Sequence, residues 1–289
     1  MRIKDFREKF ISALKTYYPE TEIFTFFNRL AEAYLGMKRI DITLNPERKL
    51  TETEQKRLKT ALNRLKIHEP LQYILGETEF YGLRFLVNKN VLIPRPETEE
   101  LVDWIVTDFQ KTFSAARKNE AFKILDIGTG SGCIAVSLAK NLPQAQVFGL
   151  DFSKEALEMA KKNAALNSVE IEFIHADILE IEILPQQFDI IVSNPPYVRQ
   201  LEKAELQPNV LNHEPALALF VSDQDALVFY RKIAAIGLRN LVAGGLLYFE
   251  INEYLEAETR DLVAGLGYKE IVLQKDIFGK PRILKAIKP

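Results

Sequence analysis

Over roughly the first 75 residues apolar positions recur at helical spacing, and from about residue 122 the pattern changes to alternating strands and helices. In "IKDFREKFISALKTYY", Phe6, Phe10, Ala13, Leu14 and Tyr17 share one helical face. "EIFTFFNRLAEAYLG" repeats the pattern with Ile23, Phe26, Phe27, Leu30 and Tyr34, and Gly36 is a stop signal. In "LTETEQKRLKTALNRLKI", Thr51 followed by Glu54 has the spacing of a capping box. Residues 1–75 are therefore expected to form a small helical bundle. Residues 76–96, "GETEFYGLRFLVNKNVLIPRP", read as two short strands turning near Gly82, a β-hairpin linker. Pro94 and Pro96 break the chain before the helix "ETEELVDWIVTDF".

Residues 97–289 are expected to form one α/β domain. "FKILDIG", "QVFGLD", "IEFIHAD", "FDIIVSN" and "GGLLYFEIN" read as strands. The segments "CIAVSLAKN", "SKEALEMAKKNAALN", "QDALVFYRKIAAIGLRNLV" and "LEAETRDLVAGLG" read as helices. Such alternation predicts a mostly parallel sheet with helices on both faces. The last two strands, "KEIVLQKD" and "RILKAIK", are separated only by "IFGKP" and are expected to pair antiparallel at one side of the sheet. That makes seven strands.

Composition narrows the function classes. A length of 289 residues with 47% hydrophobic content suits two domains with real cores. The formal charge of -2 argues against gripping nucleic acid by overall surface charge. Basic residues outnumber acidic ones over residues 1–75, and the reverse holds beyond. Two solvated surfaces, or a basic surface that contacts a partner, would both give that asymmetry. One cysteine, Cys133, permits no internal disulfide and suits a reducing compartment. The charged opening "MRIKDFREKF" does not resemble a signal peptide, and no long apolar run calls for a membrane span. A cytoplasmic, membrane-free protein is expected.

Candidate chemistry begins at "LDIGTGSGCIA". Gly128, Gly130 and Gly132, with Thr129 and Ser131 between them, let the backbone turn tightly beside a ligand at a strand's carboxyl end. A dinucleotide fingerprint would place its third glycine at Cys133. Asp126, just upstream, is unwelcome beside a pyrophosphate but tolerable beside a sulfonium and an ammonium. S-adenosylmethionine is thus favoured over NAD. Asp151, about 20 residues further on, is placed for ribose hydroxyls. Asp177 is placed for the adenine amino group, with Phe152 and Ile178 beside its faces or in the core. Cys133 reads as a packing residue rather than a nucleophile.

"SNPPY" follows the fourth strand, which neighbours the first in such sheets. The prolines hold Asn194 and Pro195 extended. The Asn194 side-chain oxygen and the Pro195 carbonyl are two acceptors, suited to a planar –NH2 group, and Tyr197 can pack over that plane. With an activated methyl at hand, no metal and no nucleophilic side chain is needed, and positioning supplies much of the catalysis.

Together the glycine loop, Asp151 and "NPPY" resemble class I methyltransferases acting on planar nitrogens. "EPLQYILGETEFYGLRFLVNKNVLIPRPETEELV" narrows this to the HemK/PrmC family, the protein-(glutamine-N5) methyltransferases of peptide-chain release factors, and the resemblance runs over nearly the whole chain. It implies a class I S-adenosylmethionine-dependent α/β fold, the glutamine of a bacterial release factor's Gly-Gly-Gln motif as acceptor, and S-adenosylhomocysteine as product. Asn194, Pro195, Pro196 and Tyr197 would hold the amide. Arg95, Pro96, Glu97 and Glu99 match the segment lining the pocket. Gly128 to Gly132, Asp151 and Asn194 match cofactor contacts, and some members carry an aromatic residue where Ile178 stands. The helical domain would dock the release factor. Apart from the resemblance, a monomer is expected. The alternatives are a ribosomal-protein glutamine methylase, a DNA adenine methylase, and a binding module without catalysis. The acidic catalytic part and the absence of an inserted recognition segment disfavour DNA.

Overall fold

The computed structural model describes residues 1–112 and 122–289, which form two compact units. Met1–Gly76 with Gln207–His213 make a helical unit, and the rest make a sheet unit.

The helical unit contains α1 (Ile3–Leu14), α2 (Glu20–Leu35), α3 (Arg39–Leu44), α4 (Glu52–Lys66) and α5 (Leu71–Leu75). Its core takes Phe6, Phe10 and Leu14 from α1, Ile23, Phe27 and Leu30 from α2, and Leu58, Ala61 and Leu65 from α4. Phe10 meets Phe27 edge to face at 5.5 Å. Tyr17 continues the apolar period but is 43% exposed, because α1 stops at Leu14 and the chain turns towards Pro19. Gly36 takes φ 65° and closes α2 through bonds from its N–H to the Ala31 and Glu32 carbonyls. The Glu54 N–H donates to Thr51 Oγ1, and the Thr51 N–H donates to Glu54 Oε2, which completes the capping box of α4.

The sheet unit opens with a hairpin of β1 (Glu77–Phe80) and β2 (Leu83–Leu86). Its two turn residues, Tyr81 and Gly82, both have positive φ, as a two-residue turn matched to strand twist requires. Phe80 and Phe85 project into the same core as Leu101, Val102 and Ile105 of α6 (Pro96–Thr112), so the hairpin packs as part of this unit.

Next come β3 (Phe122–Ile127), α7 (Cys133–Asn141), β4 (Ala145–Asp151), α8 (Lys154–Leu166), β5 (Glu172–His175), β6 (Phe188–Ser193) and β7 (Val198–Arg199). A short helix, α9 (Pro208–His213), counts with the helical unit, where His213 Nε2 lies 2.7 Å from the Ile67 carbonyl. The chain ends with α10 (Ala216–Leu219), β8 (Phe220–Val221), α11 (Val228–Asn240), β9 (Leu241–Glu250), α12 (Glu256–Gly265), β10 (Lys269–Lys275) and β11 (Pro281–Ile287).

Seven strands form one sheet in the order β10-β11-β9-β6-β3-β4-β5. β5, β4, β3, β6 and β9 run parallel, and β11 and β10 add antiparallel at one edge, as the short "IFGKP" connection predicts. Ile124 of β3 faces the core shared with α6 and α7, while Leu125 and Ile127 face the core shared with α11. Burial on both faces explains why the central strands read as unbroken apolar runs. The pairing of Ile127 with Ser193 sets the ends of β3 and β6 side by side, so the glycine loop and Asn194 emerge as neighbours.

Candidate active site

The glycine loop is tied to the end of β4. The Gly128 and Thr129 amides both donate to the Leu150 carbonyl, at 2.8 and 3.0 Å. Gly128 takes φ 76°, and a Cβ there would lie 4.0 Å from the Asn194 carbonyl oxygen, so the loop runs against the start of "NPPY". Gly132 serves packing: a Cβ there would meet Ala160 of α8 at 3.1 Å. Thr129 and Ser131 are buried.

Asp151 ends β4 with both oxygens engaged. The Gly130 amide donates to Oδ2 and the Ser153 amide to Oδ1, each at 2.8 Å. Burial raises its pKa against the pull of those two amides. Each carboxylate oxygen retains acceptor capacity for a hydroxyl. Asp177, half-buried, accepts from the Leu179 amide at 2.9 Å in a local turn. Phe152 is 59% exposed, leaving its ring uncovered, whereas Ile178 is packed in the core. Burial pushes the Cys133 thiol up to about 12, so it remains a protonated packing group at neutral pH.

Asp126 is wholly buried at the end of β3. Thr129 Oγ1 donates to its Oδ2 at 2.6 Å, while Oδ1 has no hydrogen-bond partner. Burial lifts its pKa to about 7; the Thr129 hydroxyl and, more weakly, the Ala135 amide oppose the rise. An unpartnered acidic oxygen beneath the glycine loop fits a cofactor with an ammonium group and a sulfonium. It does not fit a pyrophosphate.

Across β3 from Asp151 lies the second half of the site. Asn194 is half-buried, Pro195 is buried, and Pro196 and Tyr197 are half-buried. Asn194 Nδ2 donates to Thr98 Oγ1 at 3.3 Å. The Tyr197 hydroxyl donates to Glu250 Oε1 at 3.0 Å. Burial, then the Glu250 charge, pushes the Tyr197 phenol far above its ordinary range. Asn252 Nδ2 holds the Tyr197 carbonyl at 2.9 Å. The glycine loop stands between this group, at the end of β6, and Asp151, Phe152, Asp177 and Ile178, which follow β4 and β5.

The "RPETE" segment joins the "NPPY" side. Arg95 pairs with Glu214 at 2.6 Å, and that buried carboxylate also accepts the Ile93 amide at 3.1 Å. Thr98 Oγ1 donates to Glu250 Oε2 at 2.6 Å. Glu97 is half-buried, and its charge contributes to raising the Glu250 pKa. Glu99 is used differently from Glu97: it accepts the Tyr81 amide at 2.9 Å and braces the hairpin turn. Pro96 is exposed and begins α6.

Sequence reasoning missed Thr98, Glu214, Glu250, Asn252 and Asn163. Asn163 links the hairpin to the glycine loop. Its Oδ1 accepts the Leu86 amide at 2.7 Å, and its Nδ2 donates to the Leu86 and Ser131 carbonyls at 3.0 and 2.8 Å. Asn163→Leu keeps the size but leaves three backbone groups unpaired. At about 1 kcal/mol each, the expected loss is about 3 kcal/mol in urea unfolding. A loss under about 1 kcal/mol would mean water replaces those bonds.

A parallel sheet closed by an antiparallel pair, a glycine loop after its first strand and an acidic residue ending its second define a class I S-adenosylmethionine-dependent methyltransferase. Comparison with known proteins agrees. The family model described as "Methyltransferase small domain" matches residues 108–218, and "PrmC N-terminal domain" matches residues 7–76. A release factor glutamine methyltransferase of Flavobacterium psychrophilum is 55% identical, over 99% of this chain and 99% of its own length. Another, from Bacteroides thetaiotaomicron, is 44% identical, over 95% of this chain and 96% of its own. A solved methyltransferase from Pyrococcus furiosus, 16% identical, superposes with TM-score 0.50 over 82% of this chain and 99% of that one, a likeness of fold alone. This chain belongs to the release factor glutamine methyltransferase family.

Proposed function

We propose that this protein transfers a methyl group from S-adenosylmethionine to the side-chain N5 nitrogen of the glutamine in the Gly-Gly-Gln motif of bacterial release factors, giving S-adenosylhomocysteine. The observation that carries the reading is the pairing of β3 with β6, which sets the glycine loop against Asn194.

When bound, the cofactor supplies an electrophilic methyl group on a sulfonium. In this reading Asp151 accepts from the ribose hydroxyls and Asp177 from the adenine amino group. Asp126 faces the cationic amino-acid end, and Phe152 and Ile178 flank the adenine. Gly128 to Gly132, including Thr129 and Ser131, bring backbone close to the cofactor. Asn194 Oδ1 and the Pro195 carbonyl accept the two amide hydrogens of the substrate. Two acceptors favour a pyramidal, nucleophilic nitrogen over the flat amide. Pro196 stiffens the turn, and Tyr197 packs against the amide plane. Arg95 and Glu97 line the substrate side, with Arg95 held by Glu214.

In this reading the basic helical domain, residues 1–75, docks the release factor. Residues 76–96 act as linker and 97–289 as the catalytic domain. The chain acts in the cytoplasm as a monomer, without nucleic acid. Among the described residues no helix is long and apolar enough to cross a membrane.

Peptide mass spectrometry after mixing protein, S-adenosylmethionine and an unmethylated release factor tests the reading. One added methyl on the Gly-Gly-Gln glutamine is expected. No gain with cofactor bound would redirect the search to ribosomal proteins. Asp151→Ala is expected to weaken S-adenosylmethionine about 10- to 100-fold by calorimetry, from the loss of charged hydrogen bonds. Unchanged affinity would remove Asp151 from the cofactor site.

A further inference from the structure

The buried carboxylate of Glu250 has no place in methyl transfer as described above, yet its side chain meets both halves of the substrate-holding group. It ends β9, is 1% exposed, and accepts from the Thr98 hydroxyl on one oxygen and the Tyr197 hydroxyl on the other. A hydroxyl has one proton. Thr98 commits its proton to Glu250 over 2.6 Å, so towards Asn194 it offers only lone pairs. The Asn194 side chain must therefore turn its NH2 to Thr98, which directs Oδ1 away from Thr98.

We infer that Glu250, acting through Thr98, is a positioning residue that sets the amide orientation of Asn194, so that Asn194 presents an acceptor to a substrate –NH2 group. The inference rests on the methyltransferase reading above. An Asn turned the other way would present two N–H donors to an amide nitrogen, which has no use for them. The same carboxylate fixes the Tyr197 ring through its hydroxyl, so one buried charge holds both side chains. Burial raises the Glu250 pKa, and its two hydroxyl donors and Arg282 oppose the rise.

Thr98→Val, which removes the hydroxyl at constant shape, is expected to lower kcat about 10- to 100-fold, the scale of a misplaced reacting group. S-adenosylmethionine affinity and the KM for release factor should change little, while the melting temperature falls because a buried Glu250 oxygen loses its donor. Thr98→Ser, which restores the hydroxyl, should regain most of the turnover. Glu250→Gln, which can offer an N–H to Thr98 and reverse its polarity, should also lower kcat at retained cofactor affinity. In an Asn194→Ala background Thr98→Val should add almost nothing, because the residue it orients is gone. A role in stability alone would instead add its full effect there. Wild-type turnover by Thr98→Val, in a preparation whose wild type methylates, would overturn the positioning role and leave the function intact. A wild type that transfers no methyl would overturn the function and this inference with it.

Discussion

Asn194→Ala is expected to lower kcat on the order of 100- to 1000-fold, the usual cost of removing one preorganised polar partner from a reacting group. S-adenosylmethionine should still bind nearly as tightly. The asymmetry follows from which atoms do each task. The glycine loop is set by backbone bonds to Leu150, and Asp151 is set by the Gly130 and Ser153 amides. None of these passes through the Asn194 side chain. The main-chain oxygen of residue 194, against Gly128, is kept by alanine. What alanine removes is the side-chain acceptor and the bond to Thr98. Turnover with release factor and calorimetric titration of the cofactor check the two halves separately. Equal losses in both would make Asn194 a cofactor or folding residue.

The features legible in the sequence are those whose cause is local. Gly36, the Thr51–Glu54 box and the Tyr81–Gly82 turn each depend on neighbours within a few residues. The parallel run of the sheet and the antiparallel pair at its edge were readable because strand–helix alternation and the short "IFGKP" link restrict how strands can connect. The network behind "NPPY" has no such signature. Thr98 and Glu250 are 152 positions apart, Ile93 and Glu214 are 121 apart, and Leu86 and Asn163 are 77 apart. One clue existed: Glu250 is a charge at the end of the apolar strand "LLYFE", where an unpaired carboxylate would be costly. Helices as short as α3 and α5 fall below the length at which a 3.6-residue period can be seen. Tyr17 fails for the opposite reason, since its period continues past the point where the helix has ended.

Asp126 carries the other large effect, on stability rather than rate. Its pKa rises from an ordinary 3.8 to about 7 on folding, with burial as the leading cause. The unfolded chain ionises this group first, so between those values the folded state binds the extra proton. Its relative stability is then full below pH 3.8 and is lost as pH rises towards 7. The shift corresponds to a loss on the order of 4 kcal/mol across that window. Asp126→Asn cannot ionise. Without cofactor, its stability relative to wild type should therefore grow from about pH 4 to 7 and level off above, by urea unfolding at each pH. A difference that stays flat with pH would mean Asp126 titrates near its ordinary value and that water reaches Oδ1. The same substitution should weaken S-adenosylmethionine, because the acidic oxygen left unpartnered in the folded chain is the one suited to a cationic ligand. A variant that gains stability at neutral pH while losing cofactor affinity would show that the unpartnered carboxylate at the end of β3 is kept for binding.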